Sequence, residues 1–139
     1  MAINNRNIEF RCWDAAKRRM YYEDFVLYRN KVYFPQLKND VYYLGIGYDF
    51  PVMRYTGLKS IDEVKLYEGD LVKINTRTFH NVESYLIFEI TYRCSSFSLK
   101  CLNSGKVLGL FSTLVASRLE IIGNIYSDPE FLKFSTFSF

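Results

Sequence analysis

The stretch YTGLKSIDEVKLYEGDLVKI, Tyr55–Ile74, decides the fold. Two polar, turn-forming pieces, Tyr55-Thr56-Gly57-Leu58-Lys59 and Tyr67-Glu68-Gly69-Asp70, come before an apolar alternation, Leu71-Val72-Lys73-Ile74. Gly69 at the bend of the second piece predicts a tight turn that feeds a strand starting at Asp70. The stretch holds no nucleophile, no metal-ligand cluster and no phosphate loop. It describes a scaffold and not a chemistry.

The same period-2 signal continues on both sides. Ile8–Trp13 alternates, with Ile8, Phe10 and Cys12 on one face and Glu9, Arg11 and Trp13 on the other. Asp14–Arg19 is a polar turn before Met20–Tyr22, which predicts a hairpin. Phe25–Tyr28 and Val32–Phe34 flank Arg29-Asn30-Lys31, where Asn30 accepts a positive φ, so a second hairpin is expected, closed by Pro35. Gly45, Gly47 and Pro51 cut the aromatic run Val41–Tyr55 into two short strands. Further strands are expected at Leu71–Asn75, Tyr85–Tyr92, Phe97–Leu102, Val107–Phe111 and Leu119–Tyr126, with Asn103-Ser104-Gly105 as a turn. The one helix start is Ser127-Asp128-Pro129-Glu130, with Asp128 as N-cap and Pro129 as first helical residue. Strands about ten residues apart, joined by short turns, argue for a mainly β protein.

At 139 residues the chain is one structural unit. Within it we expect an N-terminal β-hairpin lobe (1–54), an SH3-like small barrel (55–126) and a short C-terminal helix or tail (127–139). Aromatic residues make up 18%, with 12 Tyr, 12 Phe and 1 Trp. Tyr and Phe favour strands, so the plain reading is a β core with aromatic cross-strand pairs. The sharper reading is an aromatic surface for a partner or for bases. The net charge of +3, from 18 basic and 15 acidic residues, is too mild to argue for a polyanion partner. No run approaches the ~18 apolar residues of a membrane span. With no signal peptide in Met1–Asn7, the three cysteines, Cys12, Cys94 and Cys101, are expected to be reduced thiols in a cytoplasm.

Catalytic and metal chemistry finds little to use. His80, the only histidine, lies in the loop Thr76–Asn81 with no orienting acid marked. No Cys-x-x-Cys exists, and Cys94 and Cys101 suit a strand or core. Asp62, Glu63, Glu68 and Asp70 cluster, but Lys59 and Lys65 interleave with them, and acids beside glycine bond to turn amides. No cofactor is expected.

Three segments taken together resemble the YopX family of phage and prophage proteins. They are Ile8-Glu9-Phe10-Arg11-Cys12-Trp13-Asp14 with Lys17 and Met20; Tyr55-Thr56-Gly57-Leu58-Lys59 with Tyr67-Glu68-Gly69-Asp70-Leu71-Val72; and Glu120-Ile121-Ile122-Gly123-Asn124-Ile125-Tyr126 with Pro129-Glu130. One departure stands out: where the family usually carries an Asn-Gly-type turn, this chain has Ile61-Asp62-Glu63-Val64. The resemblance implies a mostly β protein from a phage or prophage, and it brings no activity or catalytic residues. The expectation is therefore a non-enzymatic binding protein in the bacterial cytoplasm. Its partners would be a host or phage protein and further copies of itself. The candidate binding residues are Trp13, Arg11, Lys17, Arg18, Arg19, Phe134, Phe137 and Phe139, with Trp13 read either as an anchor or, the favoured reading, as folded over the core; Tyr55, Thr56, Gly57, Leu58, Tyr67, Glu68, Gly69, Asp70, Gly123 and Asn124 form the motif turns. The alternative is weak nucleic-acid binding through the basic residues and exposed tyrosines. A less favoured reading is an acidic-site enzyme built on Glu68 and Asp70.

Overall fold

Strand follows strand from Phe10 to Asn124, as the alternation predicts. The computed structural model describes residues 9–77, 83–109 and 112–132. By contact density the chain falls into two units, with the boundary between Met53 and Arg54.

The first unit opens with β1 (Phe10–Asp14) and β2 (Arg19–Tyr21), which pair antiparallel with Trp13 opposite Met20. Asp14 fixes the turn: its Oδ1 accepts from the amides of Ala16 (3.0 Å) and Lys17 (3.2 Å). Next come two separate two-stranded ribbons. β3 (Val26–Tyr28) pairs with β4 (Lys31–Tyr33), and β5 (Gln36–Lys38) with β6 (Val41–Tyr43). Each is closed by two residues at positive φ, Arg29 (50°) and Asn30 (65°) in one, Asn39 (52°) and Asp40 (60°) in the other. That is the backbone whose twist matches a two-residue hairpin. The return segment is tied to β4 by a bridge in which Val32 and Tyr48 exchange both hydrogen bonds at 2.8 Å. Gly47 permits this approach, because a Cβ there would lie 2.8 Å from the Tyr33 ring.

β7 (Val52–Lys59) begins in the first unit and continues into the second, where it pairs with β8 (Lys65–Tyr67). β9 (Asp70–Arg77), β10 (Glu83–Arg93), β11 (Ser96–Cys101) and β12 (Val107–Leu108) follow, then α1 (Thr113–Ala116) and β13 (Glu120–Asn124). The last five strands form one antiparallel sheet in the order β12-β11-β10-β9-β13. Leu66, Val72, Phe88, Ile90, Leu99, Ala116 and Leu119 are buried together against it. Leu71, Ile87 and Leu102 form a second cluster, packed by Ile122, Ile125, Phe131 and Leu132. Truncating one such buried leucine to alanine costs about 2–5 kcal/mol. The architecture is mainly β with one short helix among the described residues, and its five-stranded antiparallel sheet is consistent with a small barrel.

Several local expectations differ from the structure. Arg11, expected among the binding residues, is buried together with Cys12, Trp13 and Asp14, and its Nε donates to Met53 Sδ at 3.3 Å; Trp13 lies among the core residues. The β5–β6 ribbon was not expected. Of the strand expected at Val107–Phe111, Val107–Leu108 is a strand and Leu110 and Phe111 lie outside the described residues; Ser112 caps α1 through its hydroxyl, which accepts from the Val115 amide at 3.3 Å. A helical turn starts at Pro129 after Asp128, but it is 3₁₀ and not α, with the Phe131 amide donating to Asp128 O at 3.2 Å. The Asp128 carboxylate accepts from the Asn124 amide (3.1 Å), and the 3₁₀ segment covers 129–132 among the described residues.

Candidate functional site

The motif segments that mark the sequence are structural corners. Gly69 has φ +89°, and the turn is clamped from four sides. Asp70 Oδ2 accepts the Tyr67 amide at 2.7 Å. The Glu68 amide donates to Arg54 O (2.8 Å), the Gly69 amide to Ile90 O (2.8 Å), and the Ile125 amide to Gly69 O (2.9 Å). Glu68 Oε1 accepts from the Arg54 amide (3.1 Å) and guanidinium (3.4 Å). Both carboxylates are thus engaged with turn and strand donors. Gly57, at φ +85°, sits at the irregular register of β7. Thr56 Oγ1 donates to Leu66 O (2.8 Å) and accepts from the Leu58 amide (3.1 Å). Tyr55 and Tyr67 face each other with ring centroids 5.5 Å apart. At the departure, Ile61–Val64, Glu63 takes the positive φ (62°) that glycine would supply, and Ser60 Oγ accepts from the Asp62 and Val64 amides at 3.3 Å each. Gly123 and Asn124 form the third corner: Asn124 Oδ1 accepts from the amides of Tyr126 (3.0 Å) and Ser127 (2.8 Å).

The first unit carries the accessible features. Of the seventeen large apolar or aromatic residues that the described structure exposes, eleven lie between Tyr22 and Tyr48. Every residue from Gln36 to Ile46 is exposed, including Leu37, Val41, Tyr42, Tyr43, Leu44 and Ile46. Tyr42 keeps 70% of its surface and Ile46 73%. A two-stranded ribbon with no buried face is marginal on its own in water.

Beside this ribbon, within the same unit, lies a cleft of about 460 Å³ walled by Tyr21, Phe34, Tyr48 and Phe50. The rings interlock: Tyr21–Phe34 at 4.7 Å, Phe34–Tyr48 at 5.9 Å, and Tyr48–Phe50 stacked at 4.8 Å. Asp14, 6% exposed, and the exposed Lys17 also line it, with Gln36, Leu44 and Ile46. Arg19 lies over the Tyr21 ring at 4.9 Å and Arg18 over Trp13 at 5.8 Å.

Of the expected binding residues, Lys17, Arg18 and Arg19 are exposed at the β1–β2 turn, next to the cleft. Arg11 and Trp13 are buried at 3% and 6%, so their side chains are packing and not contact surface, and Arg11 Nε donates to Met53 Sδ at 3.3 Å. Phe134, Phe137, Phe139 and His80 lie outside the described residues. Sequence reading missed Tyr21, Phe34, Tyr48 and Phe50 as a group; the Tyr48-Asp49-Phe50 alternation was the available signal. Among the described residues no group of three or more His, Cys, Asp or Glu could hold a metal ion, and no helix is long and apolar enough to cross a membrane. Burial, with the Asp14 carboxylate adding to it, pushes the Cys12 thiol up to about 11, while Cys94 is exposed in the β10–β11 turn.

The family model described as YopX protein matches residues 9–133. The chain belongs to the YopX family. Two solved structures share its fold. Protein EF1440 from Enterococcus faecalis aligns with a TM-score of 0.62 and 22% identity over 90% of this chain and 97% of its own. Protein yopX from Bacillus subtilis aligns with a TM-score of 0.57 and 20% identity over 94% of this chain and 99% of its own. At these identities the likeness establishes the fold alone. No curated protein matches in sequence.

Proposed function

We propose that this YopX-family chain is a non-catalytic binding protein of phage or prophage origin that works in the cytoplasm of a bacterial host. In this reading it docks its N-terminal lobe on a host or phage protein and on further copies of itself. The observation that carries the reading is the β5–β6 ribbon, exposed from Gln36 to Ile46 and rich in Leu, Ile, Val and Tyr. Such a ribbon gains a buried face only by docking, and aromatic residues are the side chains that supply most energy at interface centres. Family membership supports the phage origin. The acidic pair Glu68 and Asp70 supports turn stability, since both accept amide hydrogen bonds.

The test is capture from lysates of host cells, uninfected and phage-infected, with wild type and with Tyr42→Ser/Ile46→Ser. Both substituted side chains are exposed, so the variant keeps its fold. A discrete partner held by wild type and released by the variant supports the reading. A partner held equally by both refutes it.

A second reading, nucleic-acid binding, is favoured by one observation: Lys17, Arg18 and Arg19 stand in the turn beside the aromatic cleft. It predicts affinity for single-stranded DNA or RNA that falls steeply with salt and is lost when the three are replaced by alanine.

A further inference from the structure

We infer that the cleft of the first unit is a binding site for the base of a guanine nucleotide. This inference does not depend on protein docking through the β5–β6 ribbon. Its size, about 460 Å³, lies in the range of small-molecule sites. Its walls, Tyr21, Phe34, Tyr48 and Phe50, suit a flat, uncharged ring, because every base has a π-face that stacks on aromatic side chains. Its polar content is specific. Asp14 is 6% exposed, lines the cleft, and is held in place by two backbone amides on Oδ1. That leaves the lone pairs of Oδ2 to accept from a ligand. Guanine is the base whose pairing edge carries two adjacent donors, N1–H and N2–H; adenine offers one amino group there and uracil one imino group. Gln36, which also lines it, adds an amide that both donates and accepts.

The charges around the cleft separate this ligand from a cationic one. An aromatic cage with a carboxylate also suits a quaternary ammonium group. Here, however, Lys17 lines the cleft, and the Arg19 guanidinium lies 4.9 Å over the Tyr21 ring. A cation would enter against both. A nucleotide would place its base on the rings and its phosphate toward Lys17, with Arg18 and Arg19 adjacent in sequence, and so match each charge with its opposite.

The shared chemistry, a guanine base bearing a phosphate, comes either from a free nucleotide or from one position of a single strand. The test titrates the full chain with GMP, AMP, inorganic phosphate and tetramethylammonium, and with thymine hexamers carrying one guanine or one adenine. The inference expects guanine ligands to bind at least tenfold tighter than their adenine counterparts. It expects Asp14→Asn to remove that preference, because the amide presents a donor to N1–H while its oxygen keeps the turn. Tyr48→Ala is expected to weaken all base ligands together, so loss of folding and loss of the site are told apart by circular dichroism on both variants. GMP binding as tightly as the guanine hexamer assigns the free nucleotide; a hexamer at least tenfold tighter assigns the strand. Equal binding of GMP, AMP and phosphate, binding of tetramethylammonium in place of GMP, or no binding at millimolar ligand overturns the inference.

Discussion

Replacing Gly123 by alanine tests the corner that closes the second unit. An added Cβ would stand 2.8 Å from Asp128 Cγ and closer still to its Oδ2. Asp128 must then rotate away, and its Oδ2 loses the Asn124 amide now held at 3.1 Å. A hydrogen bond to a charged group contributes about 1.5–3 kcal/mol, and an off-rotamer side chain adds about 0.5–1.5 kcal/mol. Gly123 is not at positive φ, so alanine regains about 0.4–1 kcal/mol by restricting the unfolded chain. The net expectation is a loss of about 1–4 kcal/mol for Gly123→Ala, from these same terms. Asp128→Ala alone removes the hydrogen bond and is expected to cost about 1.5–3 kcal/mol. In that background the carboxylate no longer obstructs the added Cβ and only the Cβ of residue 128, at 3.1 Å, must give slightly, so adding Gly123→Ala costs much less than in wild type. A double-mutant cycle by urea unfolding, followed by circular dichroism, therefore expects strongly non-additive losses. Gly109→Ala, with no atom of the described residues within 4 Å of the added Cβ, is the neutral control. Additive losses for the Gly123 and Asp128 changes would refute the reasoning.

Further predictions follow from the same geometry. Asp70→Ala strands the buried Tyr67 amide and is expected to cost about 1.5–3 kcal/mol in urea unfolding, while millimolar magnesium or calcium leaves the wild-type midpoint unchanged. Burial, partly offset by Lys100 and reinforced by Glu68, raises the Glu89 carboxyl above its ordinary range. The native state then holds the proton more tightly than the unfolded chain, so stability falls as pH rises from the ordinary carboxylate pKa to the raised one. Glu89→Gln removes that fall, and urea midpoints between pH 4 and 7 check it. A thiol reagent at pH 8 is expected to modify Cys94 quickly, and Cys12 and Cys101 only when urea is added. Deleting Lys133–Phe139 is expected to lower the mass seen by light scattering if the Phe-rich tail joins copies; an unchanged mass removes that role.

The local rules carried much of the fold. Asn30 and Gly69 took the positive φ that their residue types foretell, and the carboxylates of Glu68 and Asp70 went to amides as their place beside glycine implies. The rest depended on which strands become neighbours. Arg11 lies on the polar face of the alternation, yet it is buried against Met53, and alternation does not show what covers a strand. Asn39 and Asp40 reach positive φ without glycine, so the β5–β6 turn was hidden between Pro35 and the aromatic run behind it. Tyr21, Phe34, Tyr48 and Phe50 meet only because the Val32–Tyr48 bridge folds the return segment onto β4. No spacing rule joins residues that far apart. Ser112 before Thr113–Ala116 is a readable cap, overlooked because the strand pattern ran up to it.

Docking through the N-terminal lobe is tested most directly by a photo-crosslinking residue placed at Tyr42, compared with one at Leu114, which is equally bare at 68% exposure but lies in the second unit. In host cells the account predicts a discrete covalent adduct from position 42 and none from position 114, with the adduct mass telling a second copy from a different protein. Equal adducts at both positions, or none at 42, would contradict it.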